Sequence, residues 1–157
     1  MTSDPADYAA FVSLWRQLQL TSGSLRASLA KELGISMAEL NALSHAADHD
    51  GLTPKKLADL MDLTTGSMTT MIDRLQRAGL LVRQPHPTDR RSLLLALTPG
   101  GKQAVKWVNG LYLDAAAAAF KACPRSDLGV QMEFLEALVK SLDASAQLQA
   151  HASASAG

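Results

Sequence analysis

The chain has 157 residues, of which 47% are apolar and only 4% aromatic, and its 15 basic and 15 acidic side chains give a formal net charge of zero at pH 7. This length fits one domain or two small parts that share a core, and a core of Leu, Ala, Val and Met favours packed helices. The chain has no apolar run near the ~18 residues of a membrane span, an acidic start unlike a secretion signal and a single cysteine, so we expect a cytoplasmic protein without membrane contact or an internal disulfide.

Three helices are predicted in the first part of the chain, each with its own start signal. Residues 4–34 begin with an N-cap aspartate followed by proline, carry apolar side chains at helical spacing and end in glycine. Residues 36–51 begin with Ser-x-x-Glu, which is a capping box. Residues 53–61 again begin with a cap residue followed by proline, and they predict a short third helix.

A fourth helix follows the third after a tight turn. It is capped by Thr64 or Thr65 and ends at Gly79. Its apolar residues recur at i, i+3, i+4 and i+7, at Met68, Met71, Ile72 and Leu75. Two short helices joined by a tight turn, the second exposed along one side, are the layout of a helix-turn-helix.

The pattern changes after Gly79, where two short β-compatible runs, LLVRQ and SLLLAL, flank the segment PHPTDRR. Two prolines and an aspartate exclude regular helix from that segment. We predict a two-stranded hairpin whose tip carries Asp89, Arg90 and Arg91. A helix capped by Thr98 then runs to about residue 122, and a last helix begins at residue 126 or 127.

This order of elements predicts a mainly α fold with a small β-hairpin, in which a winged helix-turn-helix is combined with a helical dimerisation region. We assign the DNA-binding lobe to residues 36–98 and the dimerisation lobe to residues 5–34 and 99–148. Residues 149–157 are predicted to be a disordered tail. The apolar faces of the long helices exceed what a small winged helix can bury, which is a reason to expect a homodimer.

Charge is unevenly distributed along the chain, because residues 53–91 hold seven basic and four acidic side chains. A basic middle flanked by acidic ends fits local contact with phosphates. In a winged helix the second helix of the motif enters the major groove of double-stranded DNA, and the wing reaches the adjacent minor groove, where arginine is favoured. Arg90 and Arg91 are expected there, with Asp89 holding one guanidinium through a bidentate pair.

The side of the fourth helix opposite its apolar residues is the predicted DNA-contacting face. Hydroxyls near its start suit base edges, a glycine allows close approach of the backbone, and the later arginines suit phosphate contacts. The two lysines of the third helix also suit phosphate, although they equally fit ordinary solvated side chains. The candidate DNA-binding residues are Lys55, Lys56, Thr65, Gly66, Ser67, Thr69, Thr70, Arg74, Arg77, Asp89, Arg90 and Arg91.

Residues 8–145 resemble the multiple-antibiotic-resistance regulator (MarR) family, through IDRLQRAGLL, the Asp-x-Arg at residues 89–91 and LALTPGG behind it. The resemblance implies a homodimeric bacterial transcription regulator, in which the first and last two helices intertwine. A two-fold dimer predicts a pseudo-palindromic operator. The resemblance also implies a pair between Asp73 and Arg91. Many members carry arginine where this chain has Thr70, so its operator differs or its binding depends more on the wing.

Two regulatory sites are further hypotheses. Members of the family commonly bind a small aromatic or anionic effector, and the candidate pocket residues, each of which also fits a core or dimer contact, are Trp15, Arg16, His45 and Met61. His45 and His49 are spaced to hold a divalent metal on one helix face, so a metal-responsive regulator stays an alternative. Histidines at a helix end also complement the helix dipole.

Other functional classes have less support in the sequence. It contains no Gly-x-Ser-x-Gly, no phosphate loop and no metal triad, so we expect neither an enzyme nor a cofactor. A winged-helix dimer that acts as a protein-interaction module is the remaining alternative, and salt-dependent binding to DNA would distinguish it. The favoured interpretation is a repressor that a small-molecule ligand releases from its operator.

Overall fold

The computed structural model describes residues 4–88, 92–123, 125 and 127–155. The helices and strands follow in the order α1 (Pro5–Glu32), α2 (Met37–Asp48), α3 (Pro54–Leu60), α4 (Thr65–Arg77), β1 (Leu81–Pro85), β2 (Leu93–Leu97), α5 (Pro99–Ala122) and α6 (Leu128–Ser155). The predicted mainly α fold with a winged helix-turn-helix is therefore confirmed. The chain divides into two compact units, Met1–Gly110 and Leu111–Gly157.

The helix starts are fixed by the cap residues that the sequence indicated. The Ser36 hydroxyl accepts the Glu39 N–H at 3.2 Å, and the Glu39 carboxylate accepts the Ser36 N–H at 2.7 Å, which completes the capping box of α2. Thr64, rather than Thr65, caps α4 by accepting the Ser67 N–H at 3.3 Å. Asp127 caps α6 by accepting the Val130 N–H at 3.0 Å.

The core of the first unit lies beneath α4. It combines buried side chains from α2 to α5 and both strands, namely Ala42, Leu43, Leu52, Leu57, Ala58, Met68, Ile72, Leu75, Leu81, Leu95 and Val105. Full burial of one such leucine or isoleucine contributes about 1.5–3 kcal/mol. Met71, which we expected in the same buried set, is only half-buried. Because the apolar side of α4 packs into this core, its opposite side is exposed.

The wing is an antiparallel hairpin in which Leu81 pairs with Leu97 and Pro85 with Leu93. Its second strand is held on the other side as well, because the Leu95 N–H donates to the Leu52 carbonyl at 2.7 Å. Leu81 and Leu95 are buried in the core. The base of the wing is thus attached both to the segment before α3 and to the core under α4.

The start of α5 packs closely against the turn after α4. The Thr98 hydroxyl donates to the Gly79 carbonyl at 2.5 Å and accepts the Gly101 N–H at 3.0 Å. Gly101 is buried, and a Cβ atom added there would collide with the carbonyl oxygen of Leu80. Only glycine allows this approach between the first turn of α5 and the backbone that leads into the wing.

A side-chain bridge joins α1 to α2. The Arg26 guanidinium donates through Nε to Asn41 Oδ1 at 2.8 Å and through Nη2 to the Ser44 hydroxyl at 2.6 Å. No sequence pattern predicted this bridge, because Arg26 is separated along the chain from both partners and belongs to no motif. It fixes the C-terminal half of α1 against the helix that precedes the helix-turn-helix.

The second unit contains α6, which is helical to Ser155 and so passes the predicted boundary at residue 148. The Ala and Gln residues of this segment favour continuation of the helix. One stripe of large apolar side chains on α6 is 48–57% exposed, and we call it the α6 stripe: Leu128, Met132, Leu135, Val139 and Leu142. In the part of the chain that the structure describes, no helix is long and apolar enough to cross a membrane.

Candidate nucleic-acid interface

The exposed side of α4 gathers the predicted base- and phosphate-contacting residues on one surface. At about 100° per residue, the side opposite the buried Met68, Ile72 and Leu75 is centred on Gly66 and Thr70. All residues of this surface are exposed: Thr65, Gly66, Ser67, Thr69, Thr70, Asp73, Arg74 and Arg77. Lys55 and Lys56 are exposed in the first turn of α3. The arrangement therefore places hydroxyls in the first two turns of α4 and arginines in the last two.

Three hydroxyls at the start of α4, those of Ser67, Thr69 and Thr70, already take part in local hydrogen bonds. Thr69 Oγ1 donates to the Thr65 carbonyl at 2.9 Å, and Thr70 Oγ1 donates to the Gly66 carbonyl at 3.1 Å. Ser67 Oγ instead accepts a hydrogen bond from Thr64 Oγ1 at 3.0 Å. In this arrangement the Ser67 hydrogen stays available for donation, whereas the two threonines offer outward lone pairs and methyl groups.

The acidic residue of α4, Asp73, is paired with a cation from the wing. Arg83 on β1 places Nη1 2.8 Å from Asp73 Oδ1, and the same nitrogen donates to Gln76 Oε1. The Arg83 side chain is 23% exposed and that of Asp73 is 49% exposed. This ion pair neutralises the only acidic side chain on the exposed side of α4. The remaining charge on that side is the positive charge of Arg74 and Arg77.

The sequence missed the role of Arg83. The resemblance implied a pair between Asp73 and Arg91, but Arg91 lies outside the described residues, so that pair stays a prediction. Arg83 precedes the motif at the wing tip and sits in a short strand, where an isolated arginine carries no positional signal. The antiparallel register sets Arg83 opposite Leu95, and the contact between β1 and α4 brings its guanidinium to Asp73.

The arm of the wing extends beyond its two strands. The His86 N–H donates to the Ser92 carbonyl at 3.2 Å, and the Thr88 N–H donates to His86 Nδ1 at 3.3 Å. The three predicted tip residues, Asp89, Arg90 and Arg91, lie outside the described residues. Their proposed contacts therefore rest on the sequence and on their place between the two ends of this arm.

A cavity of about 350 Å³ lies beside the exposed side of α4. It is lined by Ser36, Ala38, Glu39, Leu63, Ser67, Thr70, Met71 and Arg74. The predicted effector residues do not line it. Trp15 is half-buried with its ring 6.4 Å from that of Phe11, Arg16 is exposed, and Met61 packs against the core. These four residues stay an untested hypothesis, and this cavity is a feature that the sequence did not indicate.

The histidine pair of α2 provides two nitrogen-bearing rings whose centroids are 5.8 Å apart. His49 Nδ1 lies 3.0 Å from the His45 carbonyl oxygen, so that nitrogen is engaged with the backbone at the helix end. Across residues 4–88, 92–123, 125 and 127–155, no group of three or more His, Cys, Asp and Glu residues could hold a metal ion. The pair by itself offers fewer ligands than a structural zinc site requires.

Comparisons with known proteins identify a family model and relatives that this chain resembles. Residues 35–93 match the family model described as "MarR family". The organic hydroperoxide resistance transcriptional regulator of Bacillus subtilis is 34% identical over 73 residues, which cover 46% of this chain and 50% of that protein. The chain spans 62% of the length of an uncharacterized HTH-type regulator from the same organism and smaller shares of the other curated relatives.

Solved structures share the fold over most of the chain. A crystal structure of RV1404 from Mycobacterium tuberculosis has a TM-score of 0.68 at 25% identity and covers 92% of this chain and 97% of that one. A mutant of MepR from S. aureus, bound to an oligodeoxyribonucleotide, has a TM-score of 0.61 at 18% identity and covers 85% of this chain and 96% of that one. At such low identity the latter likeness concerns the fold alone.

Proposed function

The chain belongs to the MarR family, and on this premise we propose that it is a homodimeric, sequence-specific DNA-binding transcriptional regulator of the cytoplasm. It acts as a repressor, binds a pseudo-palindromic operator in double-stranded DNA and leaves it when a small aromatic or anionic effector binds. The observation that carries this proposal is the exposed side of α4. Along α4, uncharged hydroxyl side chains come first and Arg74 and Arg77 come last. Asp73, which lies between the hydroxyls and the arginines, is neutralised by Arg83 of the wing.

In this function α4 is the recognition helix. Its first two turns face base edges in the major groove, while Arg74 and Arg77, with Lys55 and Lys56, contact phosphates on either side. Arg83 acts as a positioning residue, because it ties the wing strand to α4 and keeps the two elements in a fixed relation. Arg90 and Arg91 are proposed to enter the neighbouring minor groove, with Asp89 orienting one guanidinium.

Dimerisation is supported by apolar surface that the single chain leaves uncovered. The α6 stripe is about half exposed, and α1 exposes further large apolar side chains at Tyr8, Val12, Leu14, Leu18 and Leu20. Large apolar side chains exposed in such numbers often mark a surface that contacts a partner. A two-fold partner would cover them and would set two recognition helices at a spacing that matches successive turns of the DNA.

Replacing Arg91 by alanine is expected to weaken DNA binding about tenfold and to lower the slope of log affinity against log salt, because a cation that releases counterions from DNA is lost. The measurement is fluorescence anisotropy of full-length protein with duplexes selected from a randomised library, at several salt concentrations. The matched control is Lys140→Ala, which removes an exposed cation from α6 on the side away from the α6 stripe. Unchanged affinity of the Arg91 variant at physiological salt would contradict the wing assignment.

Replacing Arg83 by glutamine is also expected to weaken DNA binding about tenfold, because the carboxylate of Asp73 then faces the phosphates without its counter-ion. If neutralisation of Asp73 is the reason, adding Asp73→Asn to the Arg83 variant restores most of the lost affinity. The two single variants and the double variant form a double-mutant cycle. A double variant as weak as Arg83→Gln alone would show that the charge of Asp73 is not the cause, and that Arg83 acts through its tie between the wing and α4 or through direct contact with DNA.

Release by an effector requires that the ligand bind more tightly to the form that is not on DNA. Trp15, Arg16, His45 and Met61 stay the proposed contacts for such a ligand. A titration with small aromatic acids, followed by DNA release, tests this part of the proposal independently of DNA binding itself. A metal-responsive regulator would show release with a divalent ion alone, and a protein-interaction module would show no salt-dependent DNA binding at all.

A further inference from the structure

We infer that α4 selects adenine–thymine base pairs by contacting thymine methyl groups, and that Thr70 is the residue that determines this preference. The inference rests on the proposed DNA-binding function and specifies the class of DNA sequence that this function requires. It follows from which groups the first two turns of α4 offer, from how those groups are already hydrogen-bonded, and from the space left around them.

The first two turns of α4 lack the side chains that usually identify guanine or adenine. Arginine and lysine identify guanine through its N7 and O6, and asparagine and glutamine identify adenine through N6 and N7. The exposed positions there carry only Thr65, Gly66, Ser67, Thr69 and Thr70. The nearest exposed cation on the helix, Arg74, lies one turn beyond Thr70. Base identification at the centre of this surface therefore depends on hydroxyl and methyl groups.

The hydrogen bond of Thr70 determines which of its groups faces outward. Because Oγ1 donates to the Gly66 carbonyl, its hydrogen is directed into the helix. The methyl group occupies a different staggered position on Cβ and is left on the exposed side, together with the lone pairs of the oxygen. This combination suits an A·T pair, which presents in the major groove the N6 amino donor of adenine and then O4 and the methyl group of thymine. A G·C pair has no methyl group to contact.

Gly66 lies one helical turn before Thr70 on the same side of α4. The glycine there supports the inference independently of the Thr70 hydrogen bond. A Cβ atom added at Gly66 would meet nothing within 4 Å, so the fold of the chain does not require glycine there. A glycine inside a helix nevertheless costs roughly 0.5–1 kcal/mol relative to alanine. An open space above Gly66 allows a base pair to approach the helix backbone closely, and Thr70 is then near enough to contact the next methyl group.

The test begins with selection of binding sites from a randomised duplex library by the full-length protein. We expect A·T pairs at the positions of each half-site that α4 contacts. Replacing thymine by deoxyuridine at those positions removes only the methyl group, and the expected loss is about fourfold in affinity per half-site, the value for one buried methyl-sized group. Selected sites with G·C at these positions, or no effect of deoxyuridine on the unmodified protein, would overturn the inference.

Two nearly isosteric variants separate the methyl group from the hydroxyl. Thr70→Val keeps a methyl group and removes the hydroxyl, so it should still distinguish thymine from deoxyuridine. Thr70→Ser keeps the hydroxyl and removes the methyl group, so it should bind both duplexes equally. Thr21→Ser makes the same change at an exposed position of α1 and should leave the thymine preference intact. The opposite behaviour of the valine and serine variants would assign the preference to the hydroxyl and overturn the inference.

The outcomes also distinguish this inference from the function on which it rests. Enrichment of a symmetric site without thymine methyl dependence would overturn the inference and leave the DNA-binding function standing. Absence of any enrichment or salt-dependent binding would overturn both. Circular dichroism of each variant shows whether it folds, and an unfolded serine variant would be replaced by Thr70→Ala, which also loses the methyl contact and predicts the same equal binding.

Discussion

Replacing Leu135 by lysine is expected to convert the protein from a dimer to a monomer at micromolar concentration. Leu135 lies at the middle of the α6 stripe and is 48% exposed in the single chain. Burying a leucine contributes about 1.5–3 kcal/mol, and a two-fold interface counts each substitution twice. Lysine loses that contribution and also brings two like charges into one interface, so the dissociation constant should rise more than 100-fold. Sedimentation equilibrium over a range of concentrations measures it.

DNA binding should fall together with the dimer, because a single recognition helix covers only one half-site. Ala137→Lys is the matched control: it adds the same charge on the opposite side of α6, at an exposed position, and should leave the dimer intact. If Leu135→Lys remains dimeric with unchanged DNA affinity, the α6 stripe is not the dimer interface. Far-ultraviolet circular dichroism establishes that the helix itself survives the substitution.

Replacing Gly101 by alanine is expected to lower the free energy of unfolding by about 1–3 kcal/mol, the usual cost of forcing extra volume into a packed site. The added Cβ would collide with the carbonyl oxygen of Leu80 and would lie 3.2 Å from Leu97 Cδ2. A backbone carbonyl cannot move aside as a flexible side chain can, so the start of α5 must shift away from the base of the wing. Urea-induced unfolding, at one fixed protein concentration, measures the loss.

Gly110→Ala provides the control on the same helix. A Cβ atom at Gly110 would meet nothing within 4 Å, so the substitution changes only the intrinsic helix propensity of this position. The free energy of unfolding should therefore stay equal or rise by up to about 1 kcal/mol. The difference between the two variants isolates the steric term, because both make the same chemical change in α5. Equal stability of Gly101→Ala and the unmodified protein would show that the packing of α5 on Leu80 is not rigid.

Several parts of the fold were predictable because their signals are local. A capping box such as Ser36 with Glu39 satisfies backbone groups within one turn, and proline after Thr53 or Thr98 starts a helix regardless of what packs on it. The i, i+3, i+4, i+7 spacing of α4 likewise determines its buried side. The exposed side of α4, which we propose contacts DNA, then follows as the complement of that side.

The structure also changed details of these predictions for identifiable reasons. Met71 fits the apolar spacing of α4 but is half-buried, because it lies at the edge of the buried side and lines the cavity beside α2. The end of α6 was placed too early, since a run of small residues was interpreted as a tail although alanine is the strongest helix former. The burial of Met71 therefore depends on neighbouring structure, whereas the length of α6 follows from local helix propensity.

By itself the sequence determined the order of helices and strands, their caps and the buried side of α4, because each of these depends on residues a few positions apart. Only the tertiary structure decided that Asp73 pairs with Arg83, that Arg26 joins α1 to α2, and that Gly101 lies against Leu80. Those contacts join segments distant along the chain. Their partners are set by how the helices and the wing pack on the core, and no spacing within a single segment encodes that packing.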